Sequence, residues 1–131
     1  MLDLSKLLHL STVQKYDDRD VIVSEGETSD NSMYIMLQGK ARVIKDYQMA
    51  TQTILTEINS GDFFGEMSLF LGKPRSATVV AVAPSAALKV NQSNAFEIIN
   101  HNSELAYGII KTLCLRLYEM DILLERLKTT R

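Results

Sequence analysis

Between Val21 and Val90 the chain is a series of short β-prone runs, none of them separated from the next by a stretch of helical period long enough to cross over a sheet. The runs are 21–23, 33–37, 41–44, 53–58, 78–82 and 86–90, each rich in Val, Ile, Leu, Thr or Ala. Between them lie Glu25-Gly26-Glu27, Asp30-Asn31-Ser32, Gln38-Gly39-Lys40, Asn59-Ser60-Gly61-Asp62 and Ala83-Pro84-Ser85, all turn chemistry. Strands in this order favour an antiparallel sandwich or barrel over a parallel α/β sheet. Gly39 is expected to be a hairpin turn.

Both ends of the chain change period. Leu4, Leu7, Leu8 and Leu10 recur at helical intervals and predict a short amphipathic helix over 2–13, part of an N-terminal helical segment 1–16. After the β region (17–91), 92–131 reads as two helices. A short one covers 94–100 with Ser93 as its N-cap, and a long one covers 103–127 with Glu104 in its first turn. In the long helix Ala106, Ile110, Leu113, Leu117, Met120, Leu124 and Leu127 form a continuous a/d seam, which predicts a homodimer through a parallel helix pair. The fold class is therefore mainly β with flanking helices, in one domain spanning 1–131, a length that suits one core.

Composition narrows the function classes. Fourteen Lys+Arg against sixteen Asp+Glu give a formal net charge of −2 and no basic cluster, so this chain alone is not expected to bind nucleic acid. Cys114 is the one cysteine, expected to be buried or half-buried, and His9 and His101 are far apart, too little for a metal cage or nucleophilic chemistry. The adjacent acids Asp17 and Asp18 read as a charged turn rather than a general acid/base couple. No leader or spanning segment is read in the N-terminus, which gives the expectation of a cytoplasmic protein, and the scarcity of metal-ligating and nucleophilic residues gives that of a non-enzyme without cofactor.

The most informative stretch is Gly61-Asp62-Phe63-Phe64-Gly65-Glu66-Met67-Ser68-Leu69-Phe70-Leu71-Gly72-Lys73-Pro74-Arg75-Ser76-Ala77-Thr78-Val79. Gly65 allows close backbone approach to a ligand, 66–71 suits a brief helix with free N–H groups, and Gly72 and Pro74 stop it. Arg75 then places a guanidinium fork where it can close over a phosphate, beside the small residues Ser76 and Ala77. Glu66 is out of place near a phosphate unless it accepts from a ribose hydroxyl, so the ligand would carry both groups. Phe63 and Phe64 read as core aromatics.

Phe64-Gly65-Glu66 followed by Pro74-Arg75-Ser76-Ala77-Thr78-Val79 resembles the phosphate-binding cassette (61–79 here) of the cyclic-nucleotide-binding domain family. Glu25-Gly26-Glu27, Tyr34-Ile35-Met36-Leu37-Gln38-Gly39 and the closing helices fall in the order that family shows. The resemblance implies an antiparallel β-roll, a jelly-roll sandwich, with Arg75 on the cyclic phosphate of cAMP or cGMP and Glu66 on the ribose 2′-hydroxyl. Gly65, Met67, Ser68, Ser76 and Ala77 would lie against the sugar-phosphate. Ser76 permits cGMP without demanding it. The last helix would cap the purine through Arg116, with Thr112 and Leu113 as alternatives. Where the family usually has a glycine before the first strand, Tyr16-Asp17-Asp18-Arg19-Asp20-Val21 has none. The implied function is a non-catalytic sensor that moves its C-terminal helices on binding, the alternative being a dimerising module with a vestigial pocket. Transcription factors of the family continue into a helix-turn-helix domain; with the chain ending at Arg131, the expectation is either a free-standing sensor or a piece whose output lies elsewhere.

Overall fold

The computed structural model describes residues 11–129. Its strands are β1 (Thr12–Tyr16), β2 (Val21–Val23), β3 (Met33–Gln38), β4 (Lys40–Lys45), β5 (Thr53–Asn59), β6 (Phe63–Phe64), β7 (Thr78–Ala81) and β8 (Ser85–Val90). Its helices are α1 (Glu66–Leu71), α2 (Gln92–His101) and α3 (Ser103–Thr129). Two four-stranded antiparallel sheets result, in the orders β1-β8-β3-β6 and β2-β7-β4-β5. This is the antiparallel sandwich expected of the strand series, in the β-roll form that the family resemblance implies.

The continuous apolar character of β3 has a layer-level cause. Met33 and Ile35 pack with Leu88, Val90, Phe63, Leu69, Ala95, Ile98 and Ile109 beneath the helices. Tyr34 and Met36, pointing the other way, pack with Val23, Ala41, Ile58, Phe64, Val79 and Ala87 between the sheets. The first sheet is thus buried on both faces, so its central strands lose the polar half of the usual alternation. Each fully buried side chain of this kind contributes roughly 1.5–3 kcal/mol.

The structure departs from the sequence reading at several points. Thr12 and Val13, placed in the N-terminal helix, are extended: β1 pairs with β8 from Thr12↔Lys89 to Tyr16↔Ser85. Backbone pairing to an available edge outweighs the local leucine spacing there; residues 2–10 of the expected helix lie outside the described residues. Gly39 is not a hairpin turn. It joins β3 to β4, which lie in different sheets, and at φ 94° it turns the chain from one layer to the other. A Cβ there would come within 2.2 Å of Ser85 Oγ and 2.7 Å of the Pro84 carbonyl, so the corner admits only glycine. The N-cap of α2 is Asn91, whose side chain accepts from the Asn94 N–H at 3.1 Å, and not Ser93. Cys114, expected to be buried or half-buried, is exposed. The missing glycine before β2 is replaced by Arg19 at φ 77°, held by its N–H donating to Ala81 O at 2.7 Å.

α3 is fastened by a face that shares only Leu113 with the expected a/d seam. Ile109 is buried and Leu105 and Leu113 pack partly onto the core, a face four residues apart that fastens the first half of the helix. Ile110, Leu117, Met120, Leu124 and Leu127 stay exposed.

Candidate functional site

The cassette is assembled from the backbone outward. Gly65, at φ 83°, precedes α1, and Gly72, at φ 67°, ends it with its N–H on Ser68 O. Past Pro74 the chain is sewn to the turn after β2: the Gly26 N–H donates to Arg75 O at 2.8 Å, and the Arg75 N–H to Glu27 O at 3.1 Å. The Glu25 N–H donates to Thr78 Oγ1 at 3.0 Å, and Lys45 Nζ bridges Ser76 O at 3.0 Å and Glu25 at 2.9 Å. That pairing with Lys45 holds the Glu25 carboxyl below its ordinary range. Arg75 therefore leaves a backbone fixed on both sides.

Its side chain goes inward. Arg75 is only 4% exposed, and its guanidinium faces the Tyr34 ring at 6.0 Å, which in turn stacks on Phe64. Burial pushes the Tyr34 phenol up to about 12. Arg75 Nη1 donates to Gly65 O at 3.5 Å, whereas Nε and Nη2 have no hydrogen-bond partner; Asp30 Oδ1 is 4.0 Å from Nη2. Buried donors in proteins are nearly always paired, and leaving a charged one unpaired is costly. A Cβ on Gly65 would come within 2.8 Å of Arg75 Nη1 and 2.9 Å of Ser32 O, so glycine is required for the guanidinium to lie where it does.

Arg75 opens on a cavity of about 550 Å³, a size suited to a small-molecule ligand. Gly65, Glu66, Met67, Ser68, Arg75, Ser76, Ala77 and Arg116 all line it, so every site residue drawn from the sequence is brought to one place. Thr112 lines it too; Leu113 does not, and packs on the core instead. Phe63 and Phe64 are buried as expected and also contribute to the wall. Glu66, buried, is contacted by Arg116 from α3, whose Nη1 donates to Oε1 while its guanidinium lies 5.4 Å over the Phe63 ring.

Sequence reasoning missed the wall opposite the cassette: Val23, Val43 and 55–58 of β5, together with Glu119 one turn beyond Arg116. Val43 opposes Thr56 through the β4–β5 register, which a linear pattern does not reveal. Glu119 was accessible, since 112, 116 and 119 share a helix face. Among the described residues no group of three His, Cys, Asp or Glu is placed to hold a metal ion, and no helix is long and apolar enough to cross a membrane.

Comparison with known proteins bears on this geometry. The family described as the cyclic nucleotide-binding domain matches residues 13–102. The cAMP-activated global transcriptional regulator CRP of Pasteurella multocida is 27% identical over 106 residues, 80% of this chain and 50% of that protein. A cAMP-dependent protein kinase regulatory subunit of Debaryomyces hansenii is 38% identical over 78 residues, 60% of this chain and 16% of that one. Among solved structures, the Catabolite Activator Protein of Thermus thermophilus superposes with a TM-score of 0.83 at 26% identity, covering 95% of this chain and 58% of that one. The chain thus spans about half the length or less of the curated relatives named here.

Proposed function

The chain belongs to the cyclic nucleotide-binding domain family, and from that premise we propose that it is a regulatory sensor module that takes a purine 3′,5′-cyclic monophosphate, cAMP or cGMP, into the cavity beside Arg75. The observation that carries this reading is the buried guanidinium with Nε and Nη2 unpartnered beside Gly65. A cyclic phosphodiester offers two exocyclic oxygens in the fork geometry of arginine and keeps one negative charge. First-turn N–H groups of a helix have no intrahelical acceptor, so Glu66, Met67 and Ser68 can supply further donors, and Ser76 and Ala77 flank the phosphate from the other side. Glu66, a carboxylate, accepts from the 2′-hydroxyl.

Coupling to α3 follows from Arg116. Since Arg116 already holds Glu66, a ribose arriving at Glu66 meets the helix directly, and Arg116 with Thr112 closes over the base. The nucleotide shifts the helix only to the extent that it binds two positions of α3 unequally. The exposed stripe Ile110, Leu117, Met120, Leu124 and Leu127 supports a second part of the proposal, a homodimer through paired α3 helices. It also keeps open a dimerising module that has lost ligand binding, though intact Glu66 and Arg75 speak against that.

Isothermal titration of the protein with cAMP and with cGMP tests the proposal, and saturable 1:1 binding of at least one is expected. No binding of either, with self-association retained in sedimentation equilibrium, would leave the dimerising module as the reading. Leu117→Glu with Leu124→Glu is expected to give a folded monomer.

A further inference from the structure

Asp30, the carboxylate within ion-pair reach of Arg75 among the described residues, is shared with a second cation. Asp30, in the turn before β3, accepts from the Ser32 N–H at 2.9 Å through Oδ1 and pairs with Lys89 Nζ at 2.7 Å through Oδ2. The same Oδ1 stands 4.0 Å from Arg75 Nη2, too far for a hydrogen bond. Lys89 comes from β8; its side chain is 30% exposed and Asp30's 33%, whereas Arg75's is 2%, so Asp30 links a half-exposed cation to a buried one. Asp30 is a carboxylate at any ordinary pH, its pKa lowered to about 2.

Without Lys89 the carboxylate would be held only by the Ser32 N–H on Oδ1, and a small turn about that bond would close the remaining gap and give Arg75 Nη2 an internal partner. That partner would compete with an incoming anion for the same donors. We propose that Lys89 is a positioning residue for ligand binding: by holding Asp30 away from Arg75, it keeps the guanidinium free to receive the ligand's phosphate. Neither Lys89 nor Asp30 lines the cavity, so the effect runs through Arg75 alone. The inference rests on the assignment of Arg75 as the phosphate-binding group.

A double-mutant cycle read by titration calorimetry with whichever of cAMP or cGMP binds the wild-type protein tests it. Lys89→Met is expected to weaken binding about 5- to 10-fold when Asp30 is present. In the Asp30→Asn background the same Lys89→Met change is expected to alter affinity less than about 2-fold, because an amide carries no charge to restrain. Lys89→Arg, which keeps the cation, should stay near wild type. An unchanged affinity in Lys89→Met, or an equal loss in both backgrounds, overturns the proposal; the second result would mean that Lys89 acts on the phosphate through its long-range field. Failure of the underlying reading looks different: the wild-type protein then binds neither nucleotide.

Discussion

Arg75 and Arg116 line the same cavity, yet one is sunk in the β-roll with a 2% exposed side chain and the other hangs from a helix with its side chain 48% exposed. Arg75 is fixed by backbone bonds to 26 and 27, by the Gly65 carbonyl and by the Tyr34 ring. Arg116 is fixed by Glu66 and by contact with Phe63, on a helix whose core contacts are Leu105, Ile109 and Leu113. The difference separates two tasks. Under the proposed function, Arg75, on a loop sewn to the turn after β2, would meet the phosphate with little reorganisation, and Arg116, on α3, would report its arrival.

Truncating each arginine is the strongest way to break that comparison. Arg75→Ala should cost about 2–5 kcal/mol of binding, about 30- to 4000-fold in affinity, because the nucleotide's phosphate is left without its cation. Arg116→Ala should cost no more than about 1 kcal/mol, as a half-exposed pair does, while reducing the ligand-induced change in α3. Equal losses by calorimetry would show that both ends bind alike.

A stability series sharpens the same contrast within α3. Ile109 is 4% exposed and Ile110 is 61% exposed. Ile109→Ala should lower unfolding free energy by about 2–4 kcal/mol, and Ile110→Ala should fall within about 0.5 kcal/mol in dilute protein, where dimers do not contribute. Urea denaturation of the two variants measures this; similar midpoints would mean that α3 is not fastened through its Leu105, Ile109 and Leu113 face. At the rigid end, Gly65→Ala meets Arg75 Nη1, Ser32 O and Met33 Cα together at a positive φ. About 1–3 kcal/mol of destabilisation is expected, with nucleotide affinity falling alongside as Arg75 is displaced. A protein with wild-type Tm and affinity would show that the loop yields.

How much of this was legible follows from which residues act locally. The cassette could be read in the sequence because its glycines, proline and arginine act within a few positions of one another, and 66–71 became a helix with the bounds read from the sequence. The a/d reading of α3 identified its apolar positions but could not tell which would meet the sheet: Ile109, off that seam, is the buried one. Gly39 was legible as a turn but not as a corner between sheets, because strand partners are set by the whole topology. The wall of Val43 and Thr56 and the reach of Lys89 to Asp30 were hidden for the same reason: these pairs are joined only through sheet register and packing.

The smallest expected effect concerns pH and isolates the Asp30–Lys89 pair beside Arg75. Burial pushes the Asp30 carboxyl upward, but hydrogen bonds from Lys89 and Ser32, with the Lys89 charge, more than offset it, bringing it from 3.8 to about 2. A carboxyl whose pKa is lower when folded contributes stability in full above its unfolded value, and that contribution fades as pH falls through the folded one. The window is therefore pH 4 down to pH 2, and Asp30 is exposed enough for solvent to screen much of the effect. Asp30→Asn removes the titrating group, so the gap in urea midpoint between it and the wild-type protein should narrow steadily from pH 5 to pH 2.5. Gaps that stay parallel across that range would mean that Asp30 has the same proton affinity folded and unfolded, and that Lys89 does not hold it.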